Sequence, residues 1–148
     1  MLEVPSIQWF PGHMAKTRRL IQENLKMVDI IVELADARIP QSSRNPELSK
    51  WLNNKARVLI LNKADTADPA ATQKWLQYYK KEGIAALACD SRSGRGLEKF
   101  LPLVKEQLRE LLERREKKGV AGTPIRVMVV GIPNVGKSSF INKMAGSK

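Results

Sequence analysis

Four short apolar runs, each ending in a polar loop and most followed by a helical pattern, restrict the architecture open to this chain. They are Asp29–Ala35, Arg57–Asn62, Ile84–Cys89 and Ile125–Val130. Runs this short, continuous rather than alternating, suit strands buried on both faces. Asp68-Pro69 starts a helix, with Asp68 as cap and Pro69 in the first turn, and Gly83 ends it. A further helix runs from Gly94-Arg-Gly96 to about Lys118, and a last one covers Ser138–Ala145. Strands alternating with helices demand a parallel sheet with helices on both faces, so the fold class is α/β with about four strands. Ahead of the first strand, Leu20, Ile21, Leu25 and Val28 recur at helical spacing, with Lys16, Arg18, Arg19 and Lys26 on the wet face. The expected division is a loop and amphipathic helix over 1–28 and one domain over 29–148, with a linker at about 117–124.

On such sheets ligands bind beyond the carboxyl ends of the strands. Asp36, Asn62, Ser91 and Gly131 fall at those ends and converge on one edge. Gly131-Ile-Pro-Asn-Val-Gly-Lys-Ser138 matches the phosphate-loop pattern at every specified position, after a strand and before a helix. Its glycines let successive amides turn toward phosphate: Asn134, Val135 and Gly136 lie in the loop, and the Ser139 amide lies at the helix N-terminus. Lys137 reaches the terminal phosphates and the Ser138 hydroxyl ligates Mg²⁺. Asn62-Lys63-Ala64-Asp65 suits guanine. The Asp65 carboxylate accepts from two guanine N–H donors that adenine lacks, Asn62 fixes the loop, and the Lys63 stem covers the base. Asp90 and Ser91 follow the third strand and are candidates for the base side of the site by their position.

The formal charge is +11, from 26 basic and 15 acidic residues. That balance points to a polyanion such as RNA, or else to a merely soluble basic surface. Cys89 is the single cysteine, which excludes an internal disulfide framework and fits a reducing compartment. No apolar run reaches membrane-spanning length, and the expectation is a cytoplasmic protein without a membrane partner.

The phosphate loop follows the base-reading motif by about seventy residues, the reverse of the usual order. Together with Ile7-Gln-Trp-Phe-Pro-Gly-His-Met-Ala-Lys16, Asp36-Ala-Arg-Ile-Pro40 and Ser43-Arg-Asn-Pro46, this order resembles the circularly permuted GTPases of the YlqF/RbgA family. The resemblance implies a monomeric cytoplasmic enzyme that binds GTP and GDP with Mg²⁺. It also implies action on precursors of the large ribosomal subunit and on rRNA. Asn134 stands where K⁺-stimulated GTPases place an asparagine, so it either holds K⁺ or stabilises the loop. The only histidine, His13, is a candidate for positioning water in catalysis, with a structural role or an RNA contact as alternatives. Trp9 and Phe10 either stack on a base or pack under the first helix. Arg114, Arg115, Lys117 and Lys118, with the basic face of the first helix, are candidate rRNA contacts.

No switch threonine and no Asp-x-x-Gly follow Ser138 before Lys148. The expectation is weak nucleotide binding and little hydrolysis by these residues alone, with Ile125–Val130 left as an apolar edge strand. Two other function classes are a nucleotide-responsive rRNA-binding module without hydrolysis and a generic P-loop ATPase.

Overall fold

The computed structural model describes residues 2–3, 6–8, 14–52, 54–133 and 135–146. In chain order the strands are β1 (Leu2–Glu3), β2 (Ser6–Gln8), β3 (Ile30–Asp36), β4 (Ala56–Asn62), β5 (Ala85–Ala88) and β6 (Ile125–Gly131). The helices are α1 (Met14–Asn24), α2 (Leu48–Trp51), α3 (Pro69–Lys81), α4 (Phe100–Gln107), α5 (Arg109–Lys117) and α6 (Lys137–Gly146). All ladders between these strands are parallel, in the order β6-β3-β4-β5. The four expected strands therefore form the sheet as an uninterrupted block.

Side-chain alternation along the strands decides which helix packs where. Ile30, Val32 and Leu34 of β3 join Val58, Ile60, Val127 and Val129 under Phe100, Val104 and Phe140 of α4 and α6. Ile31 of β3 meets Met128 and Val130 under α1 and α2, through Ile21, Leu25, Leu48 and Trp51. Farther along that second face, Ala35, Leu59 and Leu61 pack under Tyr79 of α3. The sheet thus carries helices on both faces. Each fully buried Leu or Ile there contributes about 1.5–3 kcal/mol, which is why β3, with every residue buried, sits at the centre.

Two features depart from the sequence expectation. β6 is not an open edge, because β2 pairs with it at Ser6↔Val129 through Gln8↔Gly131, and β1 at Leu2↔Ile125. The pairing satisfies backbone groups that an edge would leave open to other chains. The long helix expected after Gly96 is also divided at Leu108, where φ is −105° and ψ is 18°. Leu108 is buried with the α4 side chains, so its side chain is kept in the core where the backbone turns. By contrast, the start of α3 is as read: Asp68 caps it by accepting from the Ala70 amide at 3.3 Å, with Pro69 in the first turn.

Candidate nucleotide site

Asn62 ends β4 and is buried, and its amide joins three parts of the chain. Its Nδ2 donates to the Val135 carbonyl at 2.8 Å, across 73 residues of sequence. Its Oδ1 accepts from the Ser91 amide at 3.0 Å and from Ser91 Oγ at 2.9 Å. One side chain therefore fixes the phosphate loop against the loop after β5. Gly136 completes the contact: its φ of +94° lies in the left-handed region, and a Cβ there would overlap Asn62 Nδ2. No other residue type fits without moving the loop.

The next residues form the rim of the site. Lys63 adopts left-handed backbone with φ 61° and ψ 33°, which turns the chain into a single 3₁₀ turn over Ala64–Thr66. The Ala64 amide donates to the Cys89 carbonyl at 3.0 Å, and Thr66 Oγ1 donates to the Lys63 carbonyl at 2.7 Å. These bonds hold the turn that exposes Asp65. Asp90 is partly exposed beside it. Its carboxylate accepts from Ser93 Oγ at 2.7 Å and from the Arg92 amide at 3.1 Å. The Ser93 hydroxyl, chiefly, holds the Asp90 carboxyl below its ordinary value. Ser91 is committed inward to Asn62 through both its amide and its hydroxyl, so it is placed as a brace between loops.

Lys137 begins α6 and is 7% exposed. Burial lowers its pKa, and among the described residues no carboxylate pairs with it. A buried ammonium without a counter-charge is costly and is relieved by an incoming anion. Ser138 is exposed and Ser139 half-exposed in the first turn of the same helix, where free amides and the helix dipole favour phosphate. Asn134 and His13 lie outside the described residues.

Cys89 sits under this floor, 2% exposed, with Sγ 3.7 Å from Asn62 Oδ1. Burial pushes its pKa up to about 12, so it is a neutral thiol at physiological pH. A thiol reagent at neutral pH is expected to leave the folded chain unmodified and to label it fully in denaturant. Labelling of the native chain at the rate of a free thiol would contradict this placement.

Sequence reading missed the structure that supports the site. Asp36, at the end of β3, accepts from the Arg38 amide at 2.9 Å and from its guanidinium at 3.0 and 2.6 Å. That guanidinium holds the Asp36 carboxyl below the usual carboxylate range. The Asp36 amide donates to Ser43 Oγ at 2.8 Å, folding the loop back on the strand. Beneath it, fully buried Glu33 pairs with Arg44 at 3.1 Å and accepts from the Asn45 amide at 3.2 Å. The signals for this were a glutamate inside an apolar run and the Asp36–Pro40 and Ser43–Pro46 segments, whose bonds to one another the sequence does not show. Arg115, a candidate rRNA contact, is instead engaged with Asp29 at 3.0 Å, and Asp29 also accepts from the Arg126 amide at 2.8 Å.

This arrangement, with the loops that end β4, β5 and β6 brought together at one edge of the sheet, has close counterparts. A family profile described as "50S ribosome-binding GTPase" matches residues 126–148. Ribosome biogenesis GTPase A of Priestia megaterium is 55% identical over 144 residues, which is 97% of this chain and 50% of that protein. Mitochondrial ribosome-associated GTPase 1 of Mus musculus is 41% identical, over 93% of this chain and 41% of its own length. The crystal structure of GNP-bound YlqF from T. maritima superposes with a TM-score of 0.62 at 28% identity, covering 90% of this chain and 49% of that one. Over nearly all of its own residues the chain is homologous to these ribosome biogenesis GTPases. It spans about half the length of the curated relatives it matches. A permuted strand order is visible in the sheet, where β6, which leads into the phosphate-loop motif, follows β3, β4 and β5 in sequence yet lies directly beside β3.

Proposed function

We propose that the chain binds guanine nucleotide with Mg²⁺ across the carboxyl edge of its sheet. As part of a GTP-hydrolysing protein, it acts in assembly of the large ribosomal subunit. Asn62 carries this reading, because its bonds to Val135 and Ser91 bring a base-reading loop and a phosphate loop into one site. Asp65 reads the guanine edge and the Lys63 stem covers the base. Ala64 and Asp90 shape the base-side rim. The loop amides from Asn134 to Ser139 and the Lys137 ammonium take the phosphates. Ser138 holds Mg²⁺ together with phosphate oxygens, as suits an ion that keeps few protein ligands. A K⁺ at Asn134 and water positioned by His13 belong to the same proposal, as do a cytoplasmic monomer and rRNA as partner. Among the described residues no helix is long and apolar enough to cross a membrane.

The test is equilibrium binding of a fluorescent GDP analogue to the chain. GTP and GDP are expected to displace the probe and ATP to fail, and Lys137→Ala is expected to abolish binding. Affinity should be full at neutral pH. It should fall as the pH rises toward the ordinary lysine value of 10.5, because burial lets Lys137 lose its proton early. Equal displacement by ATP and GTP would overturn the guanine reading.

A further inference from the structure

α3 carries a solvent face that its packing against the sheet does not use. Lys74, Tyr78 and Lys81 follow at intervals of four and three residues, so they share one side of the helix. Seven residues at the helical rise separate the two lysines by about 10 Å along the axis. Tyr78 is 44% exposed, whereas Tyr79 beside it is fully buried. The Tyr78 ring is also fixed. Trp75 meets it edge-on at 5.8 Å and 89°, and Tyr79 meets it at 5.3 Å and 68°. Among the described residues Lys74, Lys80 and Lys81 form no ion pair, and α3 itself carries no acidic residue, Glu82 coming at its end.

We propose that this face of α3 is a docking surface for single-stranded RNA, with an unpaired base stacked on Tyr78 and phosphates held by Lys74 and Lys81. The choice of RNA rests on the ribosome-assembly reading above and on the chemistry of the patch. A held aromatic ring loses little freedom on stacking a base, and every base offers a stacking face. Lysines that form no ion pair in a chain of net charge +11 favour a polyanion and release its counterions. A protein partner fits less well, since lysine is depleted at the centres of protein interfaces.

Fluorescence anisotropy of a short, unstructured, labelled RNA tests the proposal on the 148-residue chain. Tyr78→Ala is expected to weaken binding about tenfold, the order of one lost stacked base, with an unchanged far-ultraviolet dichroism. Tyr78→Phe keeps the ring and should bind like the parent. Replacing Lys74 and Lys81 together by glutamine should reduce the log–log salt slope by about 1.4. Tyr78→Ala binding as tightly as the parent would overturn the proposal. So would polyglutamate competing as well as RNA, since that is charge attraction without stacking. Lys137→Ala separates the two readings, because it should lose nucleotide and keep RNA. A parent chain that stacks RNA on Tyr78 but ignores guanine nucleotides would refute the GTP reading alone. One that binds nucleotide, with Tyr78→Ala silent toward RNA, would refute this inference alone.

Discussion

Arg44→Ala is expected to destabilise the fold by about 3–5 kcal/mol, the cost of leaving a buried charge without its partner. Glu33 has no exposed side-chain surface, and Arg44 reaches it with both Nε and Nη2 at 3.1 Å. Truncation removes both bonds and leaves the Asn45 amide as the carboxylate's hydrogen-bond donor, with Arg57 acting on it through charge only. It also removes the guanidinium from the Tyr79 ring, 5.2 Å from its centroid. Domains of this size are stable by about 5–15 kcal/mol, so the midpoint of urea unfolding should fall steeply. Replacing the pair together, Glu33→Leu with Arg44→Met, should cost much less, because neither member is then left buried without the other. If the single and double variants unfold at the same midpoint, the ion pair is not what holds the loop between β3 and α2.

Asp65→Asn is expected to reverse nucleotide preference rather than weaken the fold. A carboxylate accepts from two adjacent donors on guanine. An amide offers one acceptor and one donor, which matches xanthine. Affinity for GDP should drop by roughly a hundredfold or more, since a site built on paired polar groups rejects a mismatch strongly. The xanthine nucleotide should gain in the same competition assay. Asp65 is exposed on a turn held by backbone bonds from Ala64 and Thr66, so the variant should melt with the parent. Unchanged selection of guanine over xanthine would remove Asp65 from base reading.

Strand positions were legible because burial on both faces writes a continuous apolar run, and the first polar residue or glycine after it marks the strand's end. Asp36, Asn62 and Gly131 were found in that way. Leu2–Glu3 and Ser6–Gln8 were not, since two or three residues are too few for a pattern and their partners lie far along the sequence. The break at Leu108 left no glycine or proline as a sign. Glu33 was visible as an oddity in β3, but its partner Arg44 comes from a loop whose path only tertiary packing decides. The inward turn of Ser91 was illegible for a related reason. A serine after a strand can serve a ligand or a neighbouring loop, and Asn62 Oδ1 is the acceptor that settles its direction here.

The position of β6 has a consequence for the order of assembly. It lies between β2 and β3, so this strand, made after both, must enter between two segments that precede it by far in the sequence. Pairings of that kind close long loops before any contact rewards them, and they are slow. Until β6 arrives, Asn62 has no Val135 carbonyl to hold, and the loops after β4 and β5 stand without the loop after β6. The candidate nucleotide pocket is therefore complete only once β6 is in place. A guanine nucleotide that binds only the finished pocket would stabilise the end of folding rather than its beginning.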